Sequence, residues 1–112
     1  MEGVRLNAYR IMWLFVFFDL PTDTKKDRKN YTVFRKKLQQ DGFTMMQYSV
    51  YVRHCPSPEN AVVHEKRVKR NLPPDGEVRV VRLTDKQFGK MKVFHGKRRK
   101  IAEQPPSQLE MF

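Results

Sequence analysis

The 112-residue chain has one cysteine, Cys55, and one tryptophan, Trp13. A lone cysteine forms no internal disulfide and fits a reducing cytoplasm. Histidine is also scarce: His54 adjoins Cys55, His64 and His95 stand alone, and no second pair follows at a zinc-like spacing. Three scattered histidines support no Ser-His-Asp arrangement, and the five glycines form neither a phosphate-cradling loop nor a G-x-S-x-G elbow. Long apolar runs are missing as well. The run Ile11 to Phe18 has eight residues, against the roughly twenty that a bilayer span needs. Asp19-Leu20-Pro21-Thr22-Asp23 follows it without the small-residue cleavage pattern of a secretory signal. Negative charge is the last shortage. With 12 acidic against 23 basic side chains the formal net charge is +11, which calls for a polyanionic partner, nucleic acid first. A membrane surface is the weaker choice, because no amphipathic helix has a wide apolar face and no lipidation signal is present.

A chain of this length fits one domain with a core that needs no staple. Ile11 to Phe18, rich in β-branched and aromatic residues, reads as a central strand buried on both faces. Asp19 closes it at the edge where open α/β sheets gather their ligands. Leu20 to Asp23 is a turn, and Thr24-x-x-Asp27 has the spacing of a capping box, so a helix begins near residue 24. Its core face is Tyr31, Phe34 and Leu38 with Val33 beside them, and Lys25, Lys26, Arg28, Lys29, Arg35, Lys36 and Lys37 fill the rest. Gly42 ends it. Residues 43–53 are extended, as one strand or as two bent at Ser49.

Ser57 and Pro58 start a second helix with Ala61, Val62, Val68 and Leu72 inward and Lys66, Arg67, Lys69 and Arg70 outward. After the Pro73-Pro74-Asp75-Gly76 turn, Glu77 to Thr84 reads as a strand whose alternation slips at Val80-Val81, through burial on both faces or a bulge. Thr84 to Phe88 makes one helical turn, Lys92 to His95 a brief extended piece, Lys97 to Lys100 a basic cluster, and Gln108 to Phe112 an alternating, strand-like end. This order fits an α+β, ferredoxin-like βαββαβ sandwich with both helices on one sheet face. The division is an N-terminal extension at 1–8, the domain at 9–96, and a basic segment with a partner-docking strand at 97–112. The other sheet face is left without cover, and a homodimer is the simplest supply.

Asp19 is the residue on which chemistry can be placed. A hard cation such as Mg²⁺ takes carboxylate oxygens, and beside a field of lysines it suits phosphodiester hydrolysis. Spacing alone leaves this open against a plain turn cap. One aspartate is few ligands, which a two-fold dimer would answer with a second copy. The basic runs at 25–37, 66–70 and 97–100 point to shape-directed, salt-dependent binding of a phosphate backbone. No aromatic ribonucleoprotein motif is present, and Trp13 and Phe15 read as core.

Four segments carry a family likeness: Phe18-Asp19-Leu20-Pro21, Gln47-Tyr48-Ser49-Val50-Tyr51 after Gly42-Phe43, Val80 to Phe88, and Gln108-Leu109-Glu110-Met111-Phe112. In order and spacing the set resembles the small CRISPR-associated adaptation protein, named an endoribonuclease in that family, over roughly residues 9 to 112. The closing segments look like the branch that accompanies single-effector CRISPR systems. The resemblance implies a ferredoxin-like homodimer with the C-terminal strand exchanged into the partner's sheet. It puts Asp19 on the family's shared aspartate, catalytic and Mg²⁺-binding, facing its copy across the dimer axis for cleavage of RNA or DNA. It also implies a second role, in which a central dimer bridges two integrase dimers and holds a double-stranded DNA spacer precursor, with nuclease chemistry dispensable. Lys25, Lys26, Arg28, Lys97, Arg98 and Arg99 fall by position on the residues that hold the nucleic-acid backbone. A stand-alone, toxin-like metal-dependent endoribonuclease is the remaining alternative. Met1 to Ala8 departs from the family's start directly on strand one.

Overall fold

The structure, a computed structural model, describes residues 10–98. The expected extension at Met1 to Ala8, the basic residues Arg99 and Lys100, and the strand expected at Gln108 to Phe112 lie outside the described residues. In chain order the elements are β1 (Met12–Asp19), α1 (Lys25–Gln40), β2 (Thr44–Gln47), β3 (Val50–Cys55), α2 (Pro58–Arg70), β4 (Glu77–Thr84) and the short α3 (Asp85–Gly89). The sheet order is β2-β3-β1-β4, the ferredoxin-like arrangement, with α1 and α2 as its two crossovers. Every neighbouring pair is antiparallel. The comparison with an open α/β sheet therefore fails, because no edge collects all the strand C-termini. Asp19 lies instead beside the first residue of β4, and Phe17 beside the first residue of β3.

The helix ends follow from local chemistry. At the start of α1, Thr24 Oγ1 accepts from the Asp27 amide at 3.0 Å, and the Thr24 amide donates to Asp27 Oδ2 at 3.1 Å. This completes the expected capping box. At the other end Gly42, with φ +89°, donates to the Gln39 carbonyl, and the Phe43 amide donates to the Leu38 carbonyl, each at 3.0 Å. This is a Schellman ending, and Phe43 and Leu38 both enter the core. Ser57 caps α2 through the Asn60 amide with Pro58 in its first turn, and Thr84 caps α3.

Period-two alternation divides the sheet into two faces. Leu14, Val16 and Phe18 point to the helices and meet Tyr31, Phe34 and Leu38 of α1 and Ala61 and Val68 of α2. Trp13, Phe15, Phe17 and Asp19 point the other way. There α3 covers one end, with Phe88 stacked on Trp13 at 4.1 Å and the Trp13 indole N–H donating to Asp85 Oδ1 at 2.7 Å. Phe15 is buried but Phe17 is 38% exposed, so β1 is covered on both faces over only part of its length.

Other expectations change for related reasons. Residues 43–53, open as one strand or two bent at Ser49, are two strands of a hairpin, reversed at Tyr48-Ser49, where Ser49 takes φ +66°. β4 pairs with β1 in an unbroken register and is neither bulged nor buried on both faces. Its slip in alternation reflects Val80 on the core face and Val81, 43% exposed, on the open face. Lys92 to His95 forms no strand, since it has no strand partner among the described residues. Val33 and Leu72 are exposed rather than core, while His64, outside the expected stripe, is buried.

His64 explains how the two helices are tied. Its Nδ1–H donates to Asp41 Oδ2 at 2.8 Å, Arg67 donates to Asp41 Oδ1 at 2.7 Å, and Arg53 Nε donates to the Asp41 carbonyl at 2.7 Å. A carboxylate only accepts, so Nδ1 carries the proton. One residue at the end of α1 thus joins α2 and β3. Burial raises the Asp41 carboxyl, but the hydrogen bonds from His64 and Arg67 outweigh it and hold the group below its usual range. The depressed carboxylate stabilises the fold above the ordinary value of 3.8 and loses that contribution as pH falls through its folded value. Asp41→Asn is expected to cost about 2 kcal/mol at neutral pH and to flatten the decline in stability below about pH 4. Urea midpoints from pH 3 to 7 check this, and parallel curves for the two proteins would refute it.

Candidate functional site

Alternation places Asp19 at the end of the aromatic row on the open face. Its cross-strand partner is Glu77, and Arg79 stands opposite Phe17, so the row Phe17-Asp19 runs beside the row Arg79-Glu77. These four side chains line a shallow cleft of about 240 Å³, closed on its other side by Tyr48, Ser49 and Val50 of the hairpin. Asp19 is exposed. Glu77 Oε1 accepts from Arg79 Nη2 at 3.2 Å, with both side chains mostly in solvent.

Two backbone features fix the shape of this end. Gly76, with φ +97°, comes so close beneath the end of β1 that a Cβ there would lie 2.7 Å from the Asp19 carbonyl oxygen and 2.7 Å from Leu20 Cδ2. On the hairpin side the Phe18 amide donates to the Ser49 carbonyl at 3.1 Å, and Ser49 Oγ shares a 3.3 Å hydrogen bond with the Tyr31 hydroxyl. The Tyr31 ring stacks on Tyr48 with centroids 6.1 Å apart. Burial, reinforced by Tyr48, pushes the Tyr31 phenol above its ordinary range, so it stays protonated.

The cleft suits a hard cation in chemical terms. Two exposed carboxylates project from one sheet face at cross-strand spacing, about 5 Å between Cβ atoms. Mg²⁺ commonly takes one or two protein carboxylates, keeps several waters and completes its shell with substrate phosphate. Among the described residues no group of three or more His, Cys, Asp or Glu side chains forms a metal cage. Cys55 is buried, and burial pushes its thiol up, which makes it a poor nucleophile.

The expected basic residues are placed differently from one another. Lys25 and Lys26 are exposed at the start of α1, just after the turn that follows Asp19. Arg28 is exposed but tied back, its Nη1 donating to the carbonyls of Thr22 and Asp23 at 3.1 and 3.2 Å. Lys97 and Arg98 are exposed in the segment beyond α3, and Arg99 lies outside the described residues. None of the five described ones lines the cleft. Glu77, Arg79 and Tyr48, which do, were not singled out from the sequence. Tyr48 appears there only within the family-like Gln47 to Tyr51 segment, with no site role. The only signal of the other two is Glu77-x-Arg79 at the head of a strand, and it has meaning only once the register with β1 is known.

Fold and site together define a class: small ferredoxin-like domains with an acidic residue at the end of strand one, on a sheet face that is apolar along its middle and only partly covered. Within that class the chain belongs to the CRISPR associated protein Cas2 family, whose family model matches residues 12–91. A "CRISPR-associated endoribonuclease Cas2" of Flavobacterium psychrophilum is 54% identical over 108 residues, covering 96% of this chain and 94% of that protein. One of Parvibaculum lavamentivorans is 59% identical over 101 residues, covering 90% of this chain and all of its own length. A third, of Paracidovorax avenae, is 42% identical over 107 residues, 96% of this chain and 99% of that protein. All three of these relatives bear the name CRISPR-associated endoribonuclease Cas2. No helix among the described residues is long and apolar enough to cross a membrane.

Gly76→Ala forces either a left-handed alanine or displacement of the Asp19 backbone. A loss of about 1–3 kcal/mol is expected, read as a lower urea midpoint, and an unchanged midpoint would show that the close approach is not required.

Proposed function

We propose that the chain is a metal-dependent phosphodiesterase of CRISPR adaptation that works as a homodimer closed over its open sheet face. The observation that carries this reading is Asp19 at the end of the row Trp13-Phe15-Phe17, an exposed carboxylate terminating an apolar face. Such a face is covered most simply by its own copy, because a two-fold axis pairs identical apolar patches. A second Asp19 then stands across the axis.

Asp19, with Glu77 beside it, is the residue that would hold Mg²⁺. When bound, the ion neutralises charge on the phosphodiester oxygens. The chain's own contribution is positional. Asp19 accepts a hydrogen bond from the attacking water and orients it, and the hairpin wall of Tyr48 and Ser49 limits where the backbone of the substrate can lie. RNA or DNA fits this chemistry alike, since only the phosphodiester is addressed.

A second role is favoured by the exposed cations Lys25 and Lys26 just beyond the strand end, with Lys97 and Arg98 after α3. They suit backbone contacts to a DNA spacer precursor held by a central dimer between two integrase dimers. The two roles rest on different residues, and they separate by substitution. Asp19→Ala is expected to abolish Mg²⁺-dependent cleavage by highly purified protein, at least a hundredfold below wild type. Retained cleavage sinks the nuclease reading. Charge reversal at Lys25 and Lys26 is expected to weaken duplex binding and spacer integration without removing cleavage of short oligonucleotides. Phe17→Glu buries a carboxylate in the proposed dimer core and is expected to give monomers in sedimentation; an intact dimer would place the interface elsewhere.

A further inference from the structure

We propose that Arg79 is the phosphate-anchoring residue of the cleft, the side chain that takes the non-bridging oxygens of the phosphodiester presented to Asp19. This rests on the nuclease reading above and adds to it the group that holds the substrate. Arg79 faces Phe17 in the β1–β4 register and is therefore diagonal to Asp19. Diagonal neighbours on one sheet face stand about 7–8 Å apart, within reach of long side chains, and the gap leaves room for one phosphate group. Among the described residues that line the cleft Arg79 is the one cation.

Its present partner does not hold it tightly. The 3.2 Å contact to Glu77 joins side chains that are 69% and 73% exposed, and ion pairs in that setting contribute little to stability. Glu77 keeps the guanidinium extended along the sheet toward the Asp19 end, yet releases it at small cost. Arginine, with a planar fork of donors, meets phosphate through two parallel hydrogen bonds, which a lysine in the same place does not. The pair thus has two states: Arg79 on Glu77 in the free protein, and Arg79 on phosphate with Glu77 released when substrate is present.

The test is binding of fluorescently labelled single-stranded RNA and duplex DNA in EDTA across a salt series, so that cleavage does not intervene. Arg79→Gln is expected to weaken binding about tenfold and to lower the slope of log affinity against log salt by about one for each protomer engaged. Arg79→Lys keeps the slope and loses part of the affinity. Glu77→Gln breaks the same ion pair but leaves the guanidinium, and it is expected to keep the full slope. A slope lost equally in Glu77→Gln and Arg79→Gln overturns the proposal, as does an Arg79→Gln protein with the wild-type slope. Asp19→Ala keeps the slope in EDTA, while its cleavage, assayed separately with Mg²⁺ present, disappears. Retained cleavage in that variant would count against the nuclease reading alone, and wild-type protein that binds neither probe overturns both. Whichever probe shows the larger slope change identifies the nucleic acid the anchor serves.

Discussion

The register of β1 between β3 and β4 is the constraint on which the rest depends. Leu14, Val16 and Phe18 fill the core only because Val16 stands opposite Tyr51 on one side and Val80 on the other. The same register sends Phe17 and Asp19 to the open face and sets Arg79 and Glu77 beside them. A slip of one residue would bury Asp19 and expose the core face of the strand. The site is therefore held by hydrophobic burial that lies mostly on the opposite side of the sheet. It needs few interactions of its own, and the loosely paired Glu77 and Arg79 are consistent with that.

Charge is distributed to match. The two crossover helices turn lysines and arginines outward, a broad positive surface of the kind that attracts polyanions from a distance. The open face is different: apolar along its middle, with acidic and basic side chains of both signs gathered at the Asp19 end. Long-range attraction and local chemistry thus reside on separate surfaces. Arg28 shows the difference in another way, since its guanidinium is spent on the carbonyls of the turn that links the two regions.

Much of the fold was legible in the sequence where local physics decides. The Thr24-x-x-Asp27 box, the Ser57-Pro58 start and the Gly42 ending each satisfy backbone groups within a few residues, and all three occur. The apolar run before Asp19 located the central strand and its terminal carboxylate. What was not legible depends on partners distant in sequence. The choice between one strand and two bent at Ser49 stayed open, because Ser49 adopts a left-handed conformation that residue type does not announce. Val80 and Val81 looked like a bulge or a strand buried on both faces because neither face of β4 could be assigned without β1. His64 was overlooked for a similar reason: its polarity is compensated by Asp41, twenty-three positions away. Glu77 and Arg79 became site residues only by pairing across the sheet.

Trp13 has a consequence of a different sort. It is the single tryptophan, it sits on the open face stacked on Phe88, and its indole N–H is fixed on Asp85. Its ring therefore belongs to one defined surroundings, and all ultraviolet emission from indole in this protein originates beside α3, at the end of the sheet face away from Asp19. The chain carries its own optical gauge of how α3 is seated on the sheet, with no label attached and no second fluorophore of the same kind to dilute the signal.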